Sequence, residues 1–252
     1  MTQLHRVKTS EAVASHILGL LFDGTLRTGD RIDLDEIAEA LGVSRVPVRE
    51  GLLHLERDGL VRLPHYRGAF VAAFDAATIR EAFDLYGLLS ALTCRRATLR
   101  GETGVLESLA KLDEALARCD EVDEFERLAR EFRRVINVAA GGPHLRALLR
   151  SFGGLVPAAA RFSIEDALLD ERAALRVEFV AVVSGDPDAA AQATLEHILL
   201  TADNAVDALR RRAILPAPEG DAVDVRARGE IAETAAVHGR LLGMLESRGG
   251  QP

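Results

Sequence analysis

Apolar residues recur at three- and four-residue intervals through most of this chain, and the places where that rhythm breaks mark its organisation. Residues 10–23 carry Val13, Ile17 and Leu20 on one side, with Ser10 placed to cap the start and Gly24 to close the end, which predicts a first helix. A short irregular or extended link follows. Residues 34–42 then place Leu34, Ile37, Ala38 and Leu41 on a common face before Gly42, a helix of about two turns. A tight turn leads to a third helix starting near Ser44, with Val48, Leu52 and Leu55 inward. Pro47 fits there because it falls in the first turn, where backbone N–H groups have no intrahelical partner to lose. Two helices joined by a short glycine-containing turn form a helix-turn-helix. After Asp58-Gly59 the pattern changes to two extended pairs separated by Pro64 and Gly68, which predicts a β-hairpin wing.

From Asp75 onward only helical periodicity is left. It predicts helices over 78–99, 103–119, 124–140, 143–160, 166–184 and 187–213, punctuated by Gly101, Gly141-Gly142-Pro143 and Gly185-Asp186-Pro187. Short loops between successive helices make neighbours antiparallel. The predicted fold is therefore mainly α, an N-terminal winged helix-turn-helix with a small β-hairpin wing followed by an antiparallel all-helical bundle. The domains expected are 1–74, 75–215 and a remainder, 216–252, that reads as a linker, one more helix and a disordered tail.

Composition narrows the class. Hydrophobic residues make up 48% and charged residues 28% of the chain, Trp is absent and aromatics are only 4%, a helix-rich globular composition. No uncharged apolar run reaches the ~18 residues a membrane span needs, and the N-terminus lacks the apolar core of a signal peptide. A cytoplasmic protein is expected. Cys94 and Cys119 lie too far apart for a CxxC motif and read as reduced thiols. No GxSxG, HExxH, GxGxxG after a strand, or Walker loop is present, and the seven histidines are scattered, so an enzyme is not expected.

The net charge of −8 argues against a general nucleic-acid binder until its distribution is considered. Residues 1–73 are nearly balanced, with nine basic and ten acidic groups, and the acid lies beyond them. Within 44–67, Arg45, Arg49, Arg57, Arg62 and Arg67 outnumber Glu50, Glu56 and Asp58. Arg45 and Arg49, one turn apart, project from the side of the third helix opposite Val48, Leu52 and Leu55. Guanidinium forks match guanine O6 and N7 in the major groove. Ser44, at that helix N-terminus, suits a phosphate, and Arg67 beside Gly68 suits the backbone or minor groove. Taken alone, such arginines also fit a solvated surface. The helix-turn-helix and wing around them favour DNA, with Arg57 and Arg62 solvated or phosphate-facing.

The segments GTLRTGDRI (24–32), LDEIAEALGVSRVPVREGL (34–52) and LERDGLVRLPHYRGAFV (55–71) carry a resemblance. They look like the GntR family of bacterial transcriptional regulators, and the helical remainder up to about residue 213 resembles its FadR-like branch, which carries an effector-binding FCD domain. The resemblance implies a homodimer on a palindromic double-stranded operator. It assigns Ser44, Arg45, Val46 and Arg49 to the major groove and Arg67 and Gly68 to the wing contact.

Many FCD domains hold a divalent metal with an Asp and three His. In this chain the first Asp–His pair falls on Ala129 and Arg133, the next His on Leu175, and His197 alone survives. One imidazole does not make a site that needs three or four ligands, so no metal or other cofactor is expected. Glu131 and Glu178 fall off the aligned face. Where related proteins place an Arg and a Glu on the first bundle helix, Leu89 and Thr93 stand. Apolar walls at Leu89, Ala129 and Leu175 favour a hydrophobic effector, and Arg133 would pair with its carboxylate or phosphate. His197 is either a buried histidine satisfied by a neighbour or an effector contact. Members of the family that respond to fatty acyl-CoA also lack the metal, which points to a fatty acid or acyl-CoA as effector. The same apolar residues would also fill the core of a constitutive DNA-binding dimer with no effector.

Overall fold

The computed structural model describes residues 3–65, 67–152 and 155–215 of the 252-residue chain. The segment 216–252, with its expected linker, helix and tail, lies outside the described residues. Two compact units are present, one built from the chain up to Ala82 with Arg150–Ser163 and the stretch from Ala202, the other from Phe83–Leu149 with Ile164–Thr201.

The first unit opens with α1 (Gln3–Phe22). This helix starts earlier than the sequence suggests, and Ser10 is a buried position inside it rather than its cap. A two-residue strand, β1 (Arg31–Ile32), leads into α2 (Leu34–Leu41). The Asp33 side chain accepts the amides of Asp35 at 2.8 Å and Glu36 at 3.3 Å, satisfying two otherwise orphaned donors at the start of α2. Gly42 ends it in the left-handed region at φ 62°, and the Val43 amide reaches back to the Ala38 carbonyl at 2.9 Å.

Next comes α3 (Arg45–Arg57), with Ser44 in the extended conformation before it and Pro47 in its first turn. The wing consists of β2 (Val61–Arg62) and β3 (Ala69–Val71), joined through a turn in which the Arg67 amide donates to the Pro64 carbonyl at 3.1 Å. The sheet order is β1-β3-β2, all antiparallel, with Arg31 opposite Phe70 and Val61 opposite Val71. The hairpin is the expected wing, whereas β1 lies in the expected irregular or extended link, since two residues are too short to show an alternating pattern. Val13, Ile17, Leu18, Leu21, Ile32, Val48, Leu52, Leu55, Leu60 and Val71 form the buried interior of this unit. Phe22 adds an edge-on contact with Phe74, ring centroids 6.1 Å apart.

The helices that follow are α4 (Ala76–Arg100), α5 (Thr103–Arg118), α6 (Val122–Ala140), α7 (Pro143–Ser151), α8 (Leu155–Val183) and α9 (Pro187–Arg211). The expected helix over 143–160 is therefore two pieces. It stops at Ser151, and α8 begins at Leu155, well before the expected residue 166. Gly153 and Gly154 stand between them in the sequence, and glycine is about 1 kcal/mol less favourable than alanine in a helix. The expected start near 166 survives as a kink at Ala167, with φ −138° and ψ 41°, which no nearby Gly or Pro announces. In the second unit Cys94, Leu109, Leu116, Phe125, Leu128, Phe132, Ile136, Leu175 and Val182 pack into one core. This core draws on α4, α5, α6 and α8, each supplying residues at helical spacing.

Candidate nucleic-acid interface and a buried charged cluster

On α3 the two faces are cleanly divided. Val48, Leu52 and Leu55 are at most 1% exposed, whereas Ser44, Arg45, Val46 and Arg49 are all exposed. What holds the inner face is close packing on α1 at Gly51, where an added Cβ would lie 2.9 Å from both the Ser10 carbonyl oxygen and a Val13 methyl. A helix so anchored cannot rotate its arginines inward without displacing α1. The Ser44 side chain makes no capping bond, so its hydroxyl is left for a partner outside the helix. Arg67 and Gly68 are exposed at the wing, and Gly68 has φ 93°, a left-handed geometry that favours glycine. Between α3 and the wing runs a groove of about 560 Å³, lined by Arg49, Leu53, Leu63, Pro64, His65 and Gly68 among others.

Two features of this surface are not legible in the sequence. Pairing of β1 with β3 brings the Arg31 side chain beside Gly68, adding a basic group to the wing. Arg45 is not free, because its Nε donates to Asp35 Oδ1 and its Nη2 to Asp35 Oδ2 at 2.5 Å. That bond, together with the nearby charge, raises the Arg45 pKa further. Arg49, by contrast, makes no ion pair among the described residues.

The second unit contains a buried charged cluster. Arg133 on α6 donates from Nη1 and Nη2 to the two carboxylate oxygens of Glu178 on α8, at 2.7 and 2.6 Å. His197 on α9 bridges onward, with Nδ1 3.1 Å from Glu178 Oε2 and Nε2 3.3 Å from Glu171 Oε2. The Thr201 hydroxyl donates to the same Glu171 oxygen at 2.8 Å. Cys94 and Tyr86 on α4 border the cluster, the Cys94 sulfur 3.9 Å from Glu178 Oε1. Burial pushes the Cys94 thiol up to about 12, so it is an inert thiol.

Of the residues expected to face an effector, Arg133 and His197 are joined through Glu178. Thr93 is buried and donates to Asn137 Oδ1 at 2.8 Å. Leu175 belongs to the apolar core, half-buried Ala129 packs against it, and Leu89 is half-buried on α4. Glu178, read from sequence as off the face, is instead its centre, while Glu131 is a surface group paired with Arg134. Glu171 and Thr201 were missed. Their signal is the spacing Glu171, Leu175, Glu178, Val182, which alternates acid with core residues on one inward stripe of α8.

These donors do not fit a metal ion. Each His197 ring nitrogen faces a carboxylate, and each Glu178 oxygen already accepts a hydrogen bond from the Arg133 cation, so a metal ion at these groups would have to displace a buried cation from its partner. The arrangement is that of an imidazolium. With His197 protonated, two cations balance two carboxylates.

Burial opposes that proton, but hydrogen bonds to Glu171 and Glu178 prevail and raise the His197 pKa above its ordinary 6.5. For Glu178, burial pushes upward and the Arg133 charge with the His197 bond overcomes it, holding the carboxyl near 2, below its ordinary 4.5. The two contributions have opposite signs. A raised histidine stabilises fully below its unfolded value and is lost as pH rises through its folded value. A depressed glutamate stabilises above its unfolded value and is lost as pH falls toward its folded one. The cluster therefore stabilises most between about pH 4.5 and 6.5. Thermal melts of the wild type should fall on the alkaline side of that window more steeply than those of His197→Gln. Equal alkaline slopes would count against the imidazolium.

No helix among the described residues is long and apolar enough to cross a membrane. The sequence matches the profile described as bacterial regulatory proteins, gntR family, over residues 9–71, and that of the FCD domain over 81–200. It is 37% identical over 220 residues to an uncharacterized HTH-type transcriptional regulator of Mycobacterium tuberculosis, covering 87% of this chain and 90% of that one. A shorter match, 32% identical over 93 residues, covers 35% of this chain and 44% of the Nta operon transcriptional regulator of Aminobacter aminovorans. Among solved structures, Escherichia coli McbR/YncC aligns with a TM-score of 0.60 at 19% identity, covering 84% of this chain and all of that one. Lar, which controls expression of the Listeria monocytogenes agr system, aligns with a TM-score of 0.54 at 15% identity, over 79% of this chain and 96% of Lar. At such identities these two likenesses concern the fold alone.

Proposed function

The chain belongs to the GntR family of bacterial regulatory proteins and carries an FCD domain, and from that premise we propose that it acts in the cytoplasm as a FadR-like, homodimeric repressor on a palindromic operator. The family and its relatives are transcriptional regulators, not enzymes. The observation that carries the DNA reading is the divided surface of α3, anchored to α1 by one face and exposing Ser44, Arg45, Val46 and Arg49 on the other. In this reading Arg49 forks a guanine, and Arg67 and Gly68 hold the adjacent backbone. Leu85 and Leu99, exposed on α4 in register with half-buried Leu88 and Leu92, supply an apolar row suited to a twin subunit.

In the same proposal the helical domain senses a small molecule, a fatty acid or acyl-CoA. Leu89, Ala129 and Leu175 are its apolar contacts, and Thr93, Arg133 and His197 its polar ones. An acidic group arriving at Arg133 would compete with Glu178, which already satisfies that guanidinium. This internal pairing favours a second reading, a constitutive DNA-binding dimer whose helical domain takes no effector.

One titration tests both. Against a duplex selected by the wild-type protein from a random pool, Arg49→Ala should lose about 5- to 150-fold in affinity, and most of its preference at one base pair. Full retention of sequence preference would remove α3 from the DNA. Adding palmitate or palmitoyl-CoA to the wild-type titration should shift the midpoint several-fold. An unmoved midpoint would leave the constitutive reading standing.

A further inference from the structure

We propose that Asp35 is a positioning residue for DNA reading, fixing the orientation of the Arg45 guanidinium and so setting base discrimination at the start of α3. The proposal rests on the reading that α3 enters the major groove.

Asp35 is itself held in place. It lies in the first turn of α2, where the Asp33 carboxylate accepts its amide and that of Glu36. Helix α2 is closed at its other end by Gly42 and the three-residue turn to α3, so the first turns of the two helices lie at a fixed offset. Across that offset the Asp35 carboxylate takes Arg45 side-on, using Nε and one hydrogen of Nη2. A guanidinium has five N–H donors. Three are left, and one each from Nη1 and Nη2 point outward from the end of the side chain as a parallel fork. This is the pair that guanine O6 and N7 accept. Held side-on, Arg45 presents its end-on fork in the orientation a base can accept, and part of the ordering cost of a long side chain is met before binding.

On the free surface the pair contributes little, since both side chains are well over half exposed. Between protein and DNA, with water displaced, the same two bonds strengthen. A carboxylate at this edge also repels phosphate, so it lowers affinity for DNA in general while supporting the one base that Arg45 reads. Arg49, one turn further along, has no such partner among the described residues, and the two arginines are thereby unequal. The same residue type at the same face would thus read with different stringency.

The test compares Asp35→Ala, Asp35→Asn, Asp35→Glu and Arg45→Ala with the wild type. Each full-length protein is titrated against the selected duplex, against a set in which each base pair is substituted in turn, and against random-sequence DNA. Asp35→Ala should lose discrimination by about 5-fold or more at the base pair where Arg45→Ala loses it. Its affinity for random DNA should hold or rise, and Asp35→Glu should restore part of the discrimination. A general loss of stability would produce none of that position dependence. Should Asp35→Ala fail to fold, Asp35→Asn, which keeps the side-chain shape without the charge, reports on the same base pair. If Asp35→Ala and Asp35→Asn keep full discrimination where Arg45→Ala has lost it, the positioning role is overturned and the DNA reading stands. If Arg45→Ala also changes nothing, Arg45 is not a reader and both fall.

Discussion

Replacing Arg133 by methionine should lower the stability of the helical unit by about 3–5 kcal/mol, the cost expected when one member of a buried ion pair is removed. The Glu178 side chain is fully inaccessible and that of Arg133 only 10% exposed, so water cannot replace the lost partner. Methionine fills a similar volume, which separates the electrostatic loss from that of a cavity. Glu178 would be left with His197 and the weak Cys94 thiol donor and would gain a proton or drag water inward, either of which costs free energy. The matching double replacement, Arg133→Met with Glu178→Met, should recover much of the loss. A pair of desolvated charges often contributes little net stability over apolar residues of equal size. Urea denaturation of the two variants and the wild type measures both effects. A single-variant loss under about 1 kcal/mol would mean that the pair is solvated after all.

Leu52→Ala and Leu53→Ala should differ sharply although the residues are adjacent. Leu52 is 1% exposed and Leu53 53%. Truncating the first removes packing from the interior beneath α3 and should destabilise the N-terminal unit by about 2–5 kcal/mol. Truncating the second removes surface already in water and should stay within about 0.5 kcal/mol. The comparison tests the rotational setting of the helix on which the DNA reading depends. Equal effects on the denaturation midpoint would show that α3 is turned differently, and the exposed position of Arg49 would be lost with it.

Much of the winged unit was legible because its signals are local. Gly42, Ser44 and Pro47 bracket a turn and a helix start by backbone rules alone, and the three- and four-residue spacing of Val48, Leu52 and Leu55 fixes which way that helix faces. Asp58-Gly59 and Gly68 do the same for the wing. Ser10 misled for the same local reason, since a serine before an apolar rhythm resembles a cap even when the helix continues through it. In the helical unit the rhythm of apolar residues located α4, α5, α6 and α9 to within a few positions. It merged the two pieces around Ser151, because apolar periodicity alone does not say where a helix stops.

The charged cluster was only half visible. Arg133 and His197 drew attention through the family pattern, and the expectation was that an external acid would satisfy the arginine. The acid is Glu178, 45 residues along the chain, and a distance of that kind leaves no local trace. Asp35 was likewise unremarkable as one of several carboxylates on α2, until the turn at Gly42 brought it against Arg45.

Sequence by itself determined the helix-turn-helix, its wing, the inward face of α3 and the family, since each rests on local motifs, backbone preference and hydrophobic spacing. Tertiary structure alone decided which charges meet across elements, as Arg133 meets Glu178 and Arg45 meets Asp35. A side-chain ion pair needs two heads within about 4 Å, and between residues on different helices only the packing of one on the other sets that distance.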